Sequence, residues 1–282
     1  GMDAIRLFLE GNLSRSEKLA EELHGPLLNH GYTDWFVLLW FLLGRINSEL
    51  GDYDNAAEQF AFIRRFCMAC SVDAPQDTVH AWEIRCRFAT EGTPEEAEAV
   101  FATLPETPET LLFRAEVFSR YARFAEALPL LEAACEAEEQ TDRWPRLGVC
   151  WDNGFASIED LIIANRIGST ELLRIVRSYY AWTLAHLDRQ EEAVPIFYAL
   201  TRGNDGAGID PYTGLYNYLY SSVLPEERSG DRDDRLTILG KSVKLIQERT
   251  SHIDEYRDKI RYLRQNAWNQ QLMQEARQHN LV

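Results

Sequence analysis

The stretch Trp40–Phe60, WFLLGRINSELGDYDNAAEQF, decides how the rest of the chain is read. Its apolar spacing is helical, yet two glycines interrupt it. Glycine inside a helix costs about 0.5–1 kcal/mol relative to alanine, so each glycine needs a reason. Gly44 follows Leu43 within the apolar run, where only a small side chain lets a second helix approach closely. Gly51 falls in the polar turn GDYDN, where the chain must leave the right-handed helical region. Ala56 and Phe60 come next, four apart, as a hole and a knob for a neighbouring helix. The segment reads as helix, tight turn, helix.

The same small-then-bulky spacing recurs at Ala97/Phe101, Ala127/Leu131 and Ala193/Phe197, each pair after a short polar turn: EGTPEE, ARFAE and LDRQEE. Apolar-periodic segments precede these turns. Self-similarity of this kind marks a repeat architecture, in which each unit buries its apolar face on the next. Trp40, Leu43, Gly44, Gly51, Tyr53, Ala56 and Phe60 stand in register with the tetratricopeptide repeat, and the chain resembles that family. Asn47 departs from the pattern, where an aromatic is expected. A second unit keeps Ile84, Phe88, Gly92, Ala97 and Phe101 but has Arg85 at the small-residue position. A third keeps Ala115, Phe118, Phe124, Ala127, Leu131 and Ala134, and a fourth keeps Ala181, Leu184, Ala193 and Phe197. Ala4, Leu7, Gly11, Leu13, Ser16, Ala20 and Leu23 look like a shortened first unit. The resemblance implies an all-α superhelix, a solenoid of antiparallel helix pairs with about twelve to fourteen helices.

The intervals between units are unequal, so the array is expected to span 2–203 with an insertion at about 141–170. The first half of that insertion carries Trp144 and Trp151 and reads as a loop. Ser157 with Asp160 then resembles a capping box, opening a short helix. The two tryptophans either plug the space of a missing helix or serve a functional loop. Residues 204–282 are expected to continue the array as a helical cap. GNDGAGIDPYTG reads as a linker, because it lacks the Gly-Lys-Ser/Thr ending of a phosphate loop and the terminal Glu of a calcium loop. Tyr212, Tyr216 and Tyr220 form a packing stripe. A long helical pattern runs from Arg235 with a break near Thr250–His252, and WNQQLMQEARQH closes the chain as a short covering helix.

The 282 residues carry a net charge of −16, which argues against a nucleic-acid partner, since such binding rests on clustered Lys and Arg. The apolar run Trp35–Leu43 is far shorter than the roughly 20 residues of a membrane helix. No secretory signal is read at the start, Gly1 reads as a residue left by tag removal, and five cysteines without an export signal suggest a cytoplasmic protein. Cys67 and Cys70 share a Cys-x-x-Cys spacing. His80 and Cys86 are the nearest further ligands, but the resulting spacing fits no common zinc module, so buried thiols are the expectation and no metal or cofactor is assigned. No nucleophile elbow or His-Glu-x-x-His motif is present, and no enzyme activity is expected.

Two classes of function follow. The leading one is an interaction scaffold that binds a peptide or partner protein in its concave groove. In such arrays the first helix of each pair lines that groove. The family's groove positions fall here on Phe41, Arg45 and Ser48, then Trp82, Cys86 and Ala89, then Leu112, Glu116 and Ser119, then Ser178, Trp182 and Ala185. Phe41, Arg45, Trp82, Leu112, Glu116 and Trp182 are the candidate partner-binding residues. Only Arg45 matches the cationic set of carboxylate-clamping members, so that subclass is disfavoured. The alternative is a small-molecule sensor or enzyme with a pocket in the helical array. A third arrangement has the groove filled by the protein's own C-terminal helices.

Overall fold

The computed structural model describes residues 2–72, 76–89, 92–139, 170–202, 212–224 and 234–282. The expected insertion at 141–170, with Trp144, Trp151 and the Ser157 cap, lies outside the described residues apart from its last position. So does most of the glycine-rich linker. The described residues form fourteen helices and no strand: α1 (Met2–Leu9), α2 (Leu13–Asn29), α3 (Thr33–Leu50), α4 (Tyr53–Cys70), α5 (Gln76–Arg87), α6 (Pro94–Phe101), α7 (Pro108–Arg120), α8 (Phe124–Glu139), α9 (Thr170–His186), α10 (Gln190–Arg202), α11 (Thr213–Ser222), α12 (Arg235–Ser251), α13 (Tyr256–Arg264) and α14 (Ala267–Gln278). None is long and apolar enough to cross a membrane.

Local chemistry sets the boundaries. Gly51 ends α3 at φ 82°, a left-handed conformation that glycine adopts without a Cβ penalty. Asp52 then caps α4 by accepting from the Asn55 N–H. Thr93 and Glu96 form a reciprocal capping box at α6. Asp234 caps α12, Asn266 caps α14, and the break expected near Thr250–His252 is the end of α12.

Each helix packs on the next through the repeat region, as antiparallel pairs require. The family positions explain why. A Cβ on Gly44 would stand 2.6 Å from the Phe60 ring, so the α3–α4 crossing admits hydrogen there and nothing larger without a shift. Ala56, Phe60, Phe101, Ala115, Ala127, Leu131, Ala181, Ala193 and Phe197 are fully buried. The first helices α5, α7, α9 and α11 touch one another in succession and form an inner row.

The chain does not leave that row open. α13 packs against α3, and α14 against α11, α12 and α13. One core joins Ile5, Phe8, Leu13 and Leu39 near the N-terminus to Val243, Ile253, Tyr262 and Leu272 near the C-terminus. Trp268 at the start of α14 packs against this core, the α3–α9 core and the α9–α12 core alike. The solenoid curls until its last helices close on its first.

Candidate functional site

The expected groove positions come together on the inner row, and they are largely covered. Phe41, Arg45, Ser48, Trp82, Cys86, Leu112, Glu116, Ser119, Ser178 and Ala185 are buried, and Trp182 is half-buried. Rings run along the row: Phe41 to Phe60 at 5.4 Å, Phe60 to Trp82 at 6.0 Å, Trp82 to Phe113 at 4.9 Å. At the far end Trp182 meets Phe124 at 5.2 Å and Trp268 at 5.8 Å, both edge to face. Such pairs add about 0.5–1.5 kcal/mol beyond the area that they bury.

A polar network crosses the row at Arg85, the residue that stands where the family keeps a small side chain. Its Nε donates to Glu116 Oε2 at 2.8 Å and its Nη2 to Oε1 at 3.3 Å, while Ser48 on α3 accepts from Nη1 at 3.5 Å. The guanidinium lies 5.0 Å from the Trp82 ring centre and 5.2 Å from that of Phe113. Tyr179 OH on α9 donates to Glu116 Oε1 at 3.1 Å. One carboxylate therefore ties α5, α7 and α9. Burial by itself would raise the Glu116 pKa. The Arg85 and Arg120 charges and these hydrogen bonds outweigh it and hold the carboxyl below the ordinary value. Burial, with Glu116 alongside, drives the Tyr179 phenol well above its ordinary value. Arg120 also donates to the Phe88 and Ala89 carbonyls at 2.9 and 2.6 Å, satisfying the end of α5.

Arg45 stacks on Trp82 at 4.3 Å and donates from Nη2 to Tyr212 OH at 2.5 Å; Tyr212 in turn donates to Glu49 Oε1 at 2.7 Å. The tyrosine stripe packs as expected, with Tyr216 and Tyr220 buried, and its first member also carries this polar link. Asn47, the other departure from the family pattern, hydrogen-bonds Gln59 and accepts from Arg261 Nη2 at 3.2 Å. The aromatic expected there is replaced by a side chain that reaches the C-terminal helices.

Between the row and the C-terminal helices lies a cavity of about 70 Å³, bordered by Ser48, Arg85, Glu116, Tyr212, Trp268 and Asn269. Cys86 borders it too, its thiol pushed up to about 11 by burial. That thiol is protonated and unreactive at neutral pH. Cys67 is buried in the α4–α5 packing and Cys70 is exposed, three residues on. Among the described residues no group of His, Cys, Asp and Glu is placed to hold a metal ion.

The chain is similar to a TPR repeat-containing protein of Treponema pallidum (strain Nichols), 22% identical over 99% of this chain. It spans 34% of that relative's length. A family model described as a C-terminal domain, TP_0123_C, matches residues 160–280. No solved structure matches. The helix pairing is that of an all-α helical repeat, consistent with this similarity.

Proposed function

We propose that this chain is a protein-interaction scaffold whose inner face is occupied by its own C-terminal helices. The similarity to a TPR repeat-containing protein supports the general role, since arrays of stacked helix pairs offer extended surfaces for other proteins. The observation that carries the finer reading is the contact of the row with α14: the Trp268 ring meets Tyr179 at 5.9 Å and Trp182 at 5.8 Å. Of the expected groove residues, Arg45 and Trp182 then meet an internal ligand, the C-terminal segment, through Tyr212 and Trp268, while Phe41, Trp82 and Leu112 pack within the repeat core and Glu116 pairs with Arg85. Partner proteins meet the outer surface while the array is closed, and the inner face only after the C-terminal helices are released. The net charge of −16 supports a protein partner over nucleic acid.

The small-molecule reading is less well supported. Ligand pockets run from about 300 to 1,000 Å³, and the inner cavity of about 70 Å³ holds no more than a few waters. Its polar groups are engaged with one another, and the strongest pair, Arg85 with Glu116, is a structural tie.

Trp82→Ala and Trp182→Ala test the proposal. Truncating a buried tryptophan costs about 3–5 kcal/mol of stability. The expected outcome is a lowered melting temperature for both, more for Trp82, with capture of native partners retained by the folded fraction. Unchanged stability with lost capture would show that an external partner contacts these rings directly.

A further inference from the structure

The seam where the C-terminal helices close on the N-terminal hairpin combines the apolar core that the two share with a set of polar contacts. Ser14 Oγ on α2 donates to Asp258 Oδ2 on α13 at 2.8 Å and accepts from the Glu255 N–H at 3.4 Å. Arg261 pairs with Asp52 and, at 3.3 Å, with Asp258, and it donates to Asn47. His252 faces the Glu10 carbonyl at 3.0 Å, and Arg15 stands 3.9 Å from Asp254. Glu17, one turn along α2 from Ser14, is half-buried in this seam and has no hydrogen bond or ion pair among the described residues.

The charges around Glu17 do not balance. Asp258 faces it from α13, Asp52 from the α3–α4 turn and Glu21 from its own helix, and Arg261 is the cation among them. That guanidinium is already engaged by Asp52 and Asp258. On α1, Asp3, Arg6 and Glu10 pair among themselves at the surface.

We propose that this seam is a proton-responsive latch: with Glu17 neutral α13 stays docked on α2 and α3, and with Glu17 ionised the docking weakens and the inner face is uncovered. Burial first, then the Asp258 and Glu21 charges, push the Glu17 carboxyl up to about 7. The sign follows. Between the ordinary carboxylate value and about 7 the closed state binds a proton that the open chain has released. Closure is therefore strongest on the acid side of that window and weakens as pH rises through it, levelling off above.

Hydrogen–deuterium exchange of the full chain decides this, with Glu17→Gln compared with wild type at each pH so that intrinsic exchange chemistry cancels. At about pH 8 the amides of α13 should exchange roughly threefold or more faster in wild type than in the variant. At about pH 5.5, where the closed-state carboxyl is still protonated, the difference should be clearly smaller than at pH 8, and α7 and α8 should match at both. Should Glu17→Gln fail to fold, the wild type alone suffices, through a fall in α13 protection relative to α7 as pH rises. Histidine is itself a pH-sensitive group, so His252→Gln is measured as well and should keep the response. Equal α13 exchange in wild type and Glu17→Gln at both pH values would overturn the proposal. So would a difference spread evenly over α7 and α8, or a response abolished only by His252→Gln.

Discussion

Gly44 and Gly51 are seven residues apart and answer to different constraints. Gly44 is helical and lacks a side chain because the Phe60 ring occupies that space. Gly51 is left-handed, and a Cβ there would also stand 2.2 Å from the Gln265 backbone, so the closing segment passes directly over the turn. Gly44→Leu should overpack the α3–α4 crossing and cost about 1–3 kcal/mol or more, measured as a fall in urea midpoint at constant slope. Arg249 makes the opposite case. It is buried, its Cγ packs where a side chain on Gly11 would stand, and its guanidinium nitrogens have no hydrogen-bond partner among the described residues. A buried charge without a partner is costly, and replacing buried ionic groups by apolar ones of similar volume is often stabilising by about 1–4 kcal/mol. Arg249→Met should raise the melting temperature or leave it unchanged. A loss of more than about 1 kcal/mol would mean that the guanidinium is engaged after all.

At the scale of elements, the inner row is held by rings and by one buried ion pair. Breaking a buried pair by removing one partner costs about 3–5 kcal/mol. The Arg85 side chain keeps 24% of its exposure, so Glu116→Gln belongs at the low end of that range. Because its folded pKa is depressed, Glu116 contributes stability that is present above the ordinary carboxylate value and lost as pH falls through the folded one. An acid titration of melting temperature should therefore be flatter in Glu116→Gln than in wild type below about pH 4.5. The helices themselves were legible in the sequence, because their determinants are local. Small-then-bulky pairs four apart, turn glycines and capping residues all act within one unit, and α3, α4, α7 and α8 lie where that pattern puts them. The two departures from the family pattern were visible but mute. Arg85 and Asn47 each bond to a partner far along the chain, Glu116 and Arg261, and neither partner is named by any spacing.

The whole molecule is where sequence reading ran out. The contact between Ser14 and Asp258 spans 244 positions, and a periodic pattern says nothing about which ends of a solenoid meet. Open and closed arrays share the same repeat residues; the difference lies in α13 and α14, whose apolar positions read equally well as a cap. Family register assigns Phe41, Arg45, Trp82, Leu112, Glu116 and Trp182 to one face, and no spacing in the sequence says what meets that face. Closure is thus the central claim, and α13 offers its own control. Tyr262 is 2% exposed and Tyr256, on the same helix, is 76% exposed. Hydroxyl-radical footprinting read by mass spectrometry compares them in one experiment. A closed array predicts heavy modification of Tyr256 with Tyr262 protected; comparable modification of both tyrosines under native conditions would contradict it.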